Sequence, residues 1–241
     1  MSTLGSTSVV FDLDGTLVDS EPNYYEACRT TLAEHGVPGF TWEEHESYVG
    51  ISTQETLGIL RKKYGIQATV AVLLTELNTR YLALARANTP VYPQMRKFVE
   101  RLHAAGVPMA VASGSSPEAI EAILSGTGLA AQLRAYVSAD AVAHGKPAPD
   151  IFLEAARRMG AMPAHCTVVE DAIPGAVAAY AAGMHCIAVP YVISQAGDPA
   201  FATAGLLFRG GQREFTAEAA YDWLARTAAR DTAGTPYPLD G

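Results

Sequence analysis

Short apolar runs recur along this chain, each ending in small or acidic residues, and between them lie segments whose apolar positions repeat at helical spacing. The runs Ser8–Leu13, Val107–Ser113, Tyr136–Ser138, Cys166–Glu170, His185–Val189 and Leu206–Phe208 read as strands. Gln94–Ala105, Pro117–Ser125, Pro149–Met159, Pro174–Ala182 and Thr216–Ala228 read as helices. Strands alternating with helices of this length imply right-handed βαβ units and a parallel sheet. The expected fold class is α/β, a Rossmann-like parallel-sheet core with helices on both faces. Such a sheet binds ligands at the carboxyl ends of its strands.

One interval breaks the alternation. From Glu21 to about Asn88 only helix-period segments occur, at Tyr24–His35, Trp42–Val49, Thr53–Tyr64 and Thr69–Ala87. An all-helical insert placed directly after the first strand would stand over that strand's end as a cap. Val18–Pro22 and Asn88–Pro93, with Pro90 and Pro93, have the composition of two hinges. The expected division is a core of residues 1–20 and 89–230, a helical cap of residues 21–88, and a Gly/Pro-rich flexible tail over 231–241. The alternative, a peripheral bundle that adds only stability, fits the insert's position less well.

At 241 residues the chain has room for one core domain and a smaller insertion. With 49% hydrophobic and 17% charged residues it suits a well-buried enzyme rather than a disordered protein. A net charge of -8 argues against nucleic acid as partner but leaves room for a small anionic substrate at a locally positive site. Cys28, Cys166 and Cys186 are too few and wrongly spaced for a disulfide framework or a zinc cluster, so each reads as a small core residue. Met1–Ser8 has no signal-peptide pattern and no stretch reaches membrane-span length, so a cytoplasmic protein with no membrane partner is expected. His35, His45 and His103 fall on helical segments, His144, His165 and His185 beside loops or strands, and none has metal-ligand spacing. His144 reads as a loop histidine facing water, Trp42 and Trp223 as packing residues.

Four clusters carry the chemistry. The first is the run from Val9 to Ser20, an apolar strand ending in Asp12 and Asp14 and followed by Gly15-Thr16. Two acids spaced by two share one face if the strand stays extended, and a hard divalent cation such as Mg²⁺ would let both stay ionised. The second, Val111 to Ser116, ends a strand in Ser113-Gly114-Ser115, where a hydroxyl and free amides can hold phosphate oxygens. The third, His144 to Phe152, fixes Lys146 between a loop and a helix by Pro147 and Pro149, placing an ammonium that could neutralise a phosphate. The fourth, Val168 to Ala172, ends in Glu170 and Asp171; adjacent acids point to opposite faces, so different jobs are expected of them.

These clusters, in this order and over Val9 to about Val189, resemble the four motifs of the haloacid dehalogenase superfamily, in the subclass with a helical cap between the first and second motifs. The resemblance implies a phosphatase in which Asp12 is the nucleophile, forming an aspartyl-phosphate, and Asp14 the general acid/base. It implies Mg²⁺ between the Asp12 carboxylate, the Asp14 backbone carbonyl and the Asp171 carboxylate, with Glu170 supporting that site from behind. Ser113 and Lys146 would hold the phosphoryl group, aided by amides near Gly15 and Gly114. Asp14 sets the chain apart from the dehalogenases and phosphonate-cleaving members, which lack an acid at that position. The loops at Ala112–Ser116 and Gly145–Phe152 are also similar to the β-phosphoglucomutase branch, which makes a phosphosugar mutase the alternative. That branch carries a hinge His and a cap Arg where this chain has Tyr24 and Thr53, so hydrolysis is favoured. Glu21, Tyr24, Tyr25, Thr53, Gln54 and Arg80 are the candidate substrate-facing residues of the cap, suited to a sugar or polyol phosphate. A nucleoside monophosphate or phosphoglycolate stays open, and a monomer is expected. A non-catalytic regulatory module would show damaged motifs, and Asp12, Asp14, Ser113, Lys146 and Asp171 are all present.

Overall fold

Buried β-branched and small residues build the strands of a sheet covered on both faces. The computed structural model describes residues 4–232. Its strands are β1 (Ser8–Phe11), β2 (Met109–Ser113), β3 (Ala135–Ser138), β4 (Cys166–Glu170), β5 (His185–Ala188) and β6 (Leu206–Leu207). All pair in parallel, in the order β3-β2-β1-β4-β5-β6. The central strands β1, β2 and β4 are buried at every position, which parallel sheets with helices on both sides require. From β1 the order runs outward to β3 on one side and to β6 on the other. The reversal therefore falls between β1 and β4, where such sheets open a crevice at their carboxyl edge.

Directly after β1 come α1 (Glu21–Glu34), α2 (Trp42–Glu46), α3 (Thr53–Tyr64) and α4 (Val70–Ala87), with no strand among them. Thr41, Ser52 and Thr69 each accept a hydrogen bond from the backbone N–H three residues on, fixing where α2, α3 and α4 begin. The two connections to the sheet run side by side. Val18 bridges Val91, Asp19 N–H donates to Pro90 O (2.9 Å) and Tyr92 N–H to Leu17 O (3.1 Å).

The remaining helices are α5 (Pro93–Ala104), α6 (Pro117–Thr127), α7 (Asp150–Met159), α8 (Ile173–Ala181) and α9 (Ala217–Thr232). Period-two alternation sends Val9 and Phe11 to one face of the sheet, in a cluster with Phe98 of α5, Ile120 of α6 and Leu224 of α9. Val10 faces the other way, with Ile151 and Phe152 of α7 and Ala176 of α8. The first cluster continues through Leu13 and Leu17 to Leu32, Leu57 and Leu73 of the helical insert.

Several boundaries differ from the sequence reading by one to four residues, two of them with consequences. β1 stops at Phe11 rather than Leu13, because Leu13 O accepts from both Leu17 N–H and Val18 N–H and closes a turn. Helix α9 continues to Thr232, into the expected tail, whose residues 233–241 lie outside those described. Among the described residues no helix is long and apolar enough to cross a membrane.

Candidate active site

Asp12 leaves β1 and Glu170–Asp171 leave β4 on either side of the strand-order reversal, so all three acids meet at the carboxyl edge. The loop before α7 brings Lys146 between them. Its Nζ donates to Asp12 Oδ1 and to Glu170 Oε1, the latter at 2.8 Å. The other Glu170 oxygen accepts from Asp171 N–H (2.9 Å), and Thr16 Oγ1 donates to Asp171 Oδ1 (3.0 Å). Burial and the nearby Glu170 charge push the Asp12 carboxyl well above its ordinary range, against the pull of Lys146. Asp171 is raised likewise by burial, then by Glu170, Asp12 and Glu21. Burial alone would lower Lys146, but the two carboxylates outweigh it and keep the ammonium charged.

The donor set fits a hard divalent cation. One oxygen from each of Asp12, Glu170 and Asp171 lies within 4.8 Å of the others. Three carboxylates face one ammonium, which leaves the charge of one divalent cation uncompensated. Asp171 Oδ2 is buried without a hydrogen-bond partner, a costly state that a metal would relieve. Gly15, at φ +78°, makes the room, since a Cβ there would sit 2.4 Å from that same oxygen. Gly175 does the same for Glu170, whose Oε1 would lie 1.4 Å from an added Cβ.

Asp14 occupies a different setting. Ser20 Oγ and Tyr81 OH donate to its Oδ1 (2.7 Å each), Ser113 Oγ and Ser115 Oγ to its Oδ2 (2.8 Å each). The donors come from the first connection, α4, the end of β2 and the loop after it. Two expectations are corrected here. The Asp14 carboxylate does not join Asp12 in one cation cluster, because four hydroxyls occupy it while Asp12 meets Glu170 and Asp171. Glu170 and Asp171 do not diverge either; β4 ends at Glu170, and both carboxylates turn into the same cluster. The Ser113 hydroxyl is engaged by Asp14 and the Gly15 amide by Val18 O (2.9 Å), while Gly114 lines the cavity.

That cavity, of about 150 Å³, has Asp12, Asp14, Lys146 and Asp171 on its core side and Glu21, Tyr24, His45 and Thr53 on the side of the insert. The insert reaches the core at Gly50, where a Cβ would be 2.7 Å from Ala172 Cβ. Tyr24 OH lies 3.4 Å from Ser115 Oγ and accepts from Thr53 Oγ1 (3.2 Å), and burial and the Asp14 charge raise its phenol above the ordinary value. His45 Nε2 bonds Glu21 Oε2 at 2.8 Å, both side chains being buried.

Other sequence candidates lie elsewhere. Arg80 pairs with Glu34 and donates to Thr31 Oγ1, joining α4 to α1 away from the cavity, because its neighbours on α1 offer a carboxylate first. Tyr25 donates to Phe40 O, Gln54 is exposed, and His144 is exposed beside Asp150. The structure adds Ser20, His45, Tyr81 and Ser115. Of these, Ser115 had a sequence signal in the Ser-Gly-Ser loop and Ser20 in its place at the end of the first cluster, while His45 and Tyr81 had none.

The family description of haloacid dehalogenase-like hydrolases matches residues 7–183. Fructose-1-phosphate phosphatase YqaB of Escherichia coli (strain K12) is 36% identical over 190 residues, spanning 75% of this chain and 95% of that protein. The bifunctional riboflavin kinase/FMN phosphatase of Arabidopsis thaliana is 35% identical over 196 residues, spanning 79% of this chain; the match covers only 50% of that longer protein. The crystal structure of CbbY from Rhodobacter sphaeroides in complex with phosphate aligns with a TM-score of 0.72 at 26% identity, covering 83% of this chain and 92% of the other. With sheet order, buried acids and family match in agreement, the chain belongs to the haloacid dehalogenase-like hydrolases.

Proposed function

We propose that this protein hydrolyses a small phosphomonoester, a sugar or polyol phosphate, through an aspartyl-phosphate on Asp12 and with Mg²⁺ bound by Asp12 and Asp171. The observation that carries the reading is one cavity holding two different acids, Asp12 against Lys146 and Asp14 among four hydroxyls. An Asp12 oxygen forms the new bond to phosphorus as the bond to the leaving oxygen breaks, and Asp14 gives its proton to that oxygen. Water then attacks the phosphoryl-enzyme, Asp14 takes its proton back, and phosphate leaves with Asp12 restored. Lys146 neutralises charge on the transferring group, and Glu170 keeps Lys146 aimed at Asp12. A divalent cation held by Asp12, Asp171 and the Asp14 carbonyl would supply further charge neutralisation.

Two features favour hydrolysis over a mutase. Lys146 is the one Lys or Arg among the described residues lining the cavity, so a second phosphate has no cation of its own. Tyr24 and Thr53 bond each other as neutral groups where the mutase branch places charged ones. The test is phosphate release from sugar, polyol and nucleotide monophosphates, with Mg²⁺ or chelator and with Asp12→Asn as control. Mg²⁺-dependent release lost in the control supports the reading. No release from any substrate overturns it, and a β-glucose 1-phosphate assay primed with a bisphosphate then tests the mutase.

A further inference from the structure

The insert side of the cavity mixes apolar residues, Val49, Ile51, Leu57 and Leu77, with hydroxyl-bearing ones such as Tyr24, Thr53 and Thr56, and Glu21 and His45 sit in it as a buried pair. The imidazole is gripped from behind by aromatic rings, Trp42 at 5.3 Å, Tyr25 at 5.7 Å and Phe40 at 6.3 Å between centroids. Glu21 Oε2 fixes its Nε2 edge at 2.8 Å. Stability does not account for such a pair, because a buried ion pair is often no better than apolar residues of similar volume. A phenylalanine at position 45 would fill the aromatic nest without needing a carboxylate opposite.

What the pair adds is polarity in the lining of the cavity that holds the reacting centre. With Nε2–H donating to Glu21, His45 Nδ1 has no hydrogen-bond partner among the described residues, and Glu21 Oε1 likewise has none. Both residues line the cavity that holds Asp12 and Asp14. One carboxylate oxygen and one ring nitrogen side by side match two hydroxyls of a neutral leaving group and repel a second anionic one. We propose that His45, held in place by Glu21, is a specificity-determining residue that reads hydroxyl groups of the leaving group. This rests on the phosphomonoesterase reading above and names the residue that would select its polyhydroxylated leaving group.

The experiment compares kcat/KM for a hexitol 6-phosphate and for n-hexyl phosphate, which has the same carbon count without hydroxyls. Wild-type protein is expected to prefer the hexitol ester clearly, and a ratio near one overturns the proposal before any variant is made. In His45→Phe the ratio should fall roughly tenfold, the scale of one lost hydrogen bond, chiefly through a higher KM for the hexitol ester. A purely structural pair would depress both substrates alike and leave the ratio where it was, which overturns the proposal. Should thermal melts show His45→Phe unfolded, Glu21→Gln keeps the shape and is held to the same ratio criterion. No turnover of either ester or of the wider panel by wild-type protein removes the enzymatic reading itself, whereas turnover with an unmoved ratio removes only the role of His45.

Discussion

Lys146 sits between two carboxylates that would otherwise repel each other, and its position rests on a residue with no side chain. Glu170 can lie against α8 and bond Lys146 only because position 175 is glycine. Gly175→Ala would place a Cβ 1.4 Å from Glu170 Oε1, so the carboxylate must move and Lys146 loses its second anchor. The expected cost is about 1–3 kcal/mol in urea unfolding, together with a clear loss of phosphate release. A variant as stable and active as wild type would show that Glu170 does not aim Lys146. Asp12→Asn answers a separate question, since it keeps the shape and removes the nucleophile. Release should fall at least about 10³-fold while the melting temperature is maintained or rises, because a buried acid under repulsion is gone.

Between elements, the contact that couples the helical insert to the chemistry is Tyr81 of α4, whose hydroxyl donates to Asp14 Oδ1. Tyr81 is buried and stacks on Tyr24 with ring centroids 4.0 Å apart. Tyr81→Phe keeps that stack and removes one of four donors to Asp14. We expect kcat to fall roughly tenfold with little change in KM, the mark of a residue that positions the acid/base rather than the substrate. A raised KM with intact kcat would instead make Tyr81 a substrate contact. This contact also shows where the sequence was legible. Asp12, Asp14, Ser113, Glu170 and Asp171 could be read because each lies at or just past the end of an apolar strand, and Lys146 because Pro147 and Pro149 follow it, so local pattern fixes their places. Helix α3 was legible to the residue, Thr53 to Tyr64, from its periodicity. Tyr81 and Asp14 are 67 residues apart and His45 and Glu21 are 24 apart, and no periodicity encodes which helical side chain turns inward. Arg80 was misread for the same reason: its neighbour Tyr81 faces the site and Arg80 faces α1. The shared cation expected for the Asp12 and Asp14 carboxylates was not met because the period-two rule gives faces and not partners, and hydroxyls from distant parts of the chain take the Asp14 carboxylate.

For the whole molecule, the cost of gathering three acids under a helical insert has to be met in the folded state alone. Asp12 and Asp171 have carboxyls raised by burial and by Glu170, so the folded chain holds their protons more tightly than the unfolded chain does. For an acid raised on folding, the penalty is absent at low pH, where both states are protonated. It grows as pH climbs from the ordinary carboxylate range, near about 4, toward the raised folded value. A divalent cation binds the ionised carboxylates and removes that penalty, so its stabilising effect must grow over the same interval. The rise in melting temperature on adding Mg²⁺, measured against chelator at each pH, should therefore be larger at about pH 8 than at about pH 5. Taking the difference at each pH cancels every group that the metal does not touch, including the rest of a chain of net charge -8. Asp171→Asn removes the buried oxygen that lacks a partner and should shrink the Mg²⁺ effect at both pH values. A shift independent of pH, or one undiminished in Asp171→Asn, would place the cation away from these carboxylates. The two core clusters would then be holding the acids together without metal, by Lys146 and by retained protons.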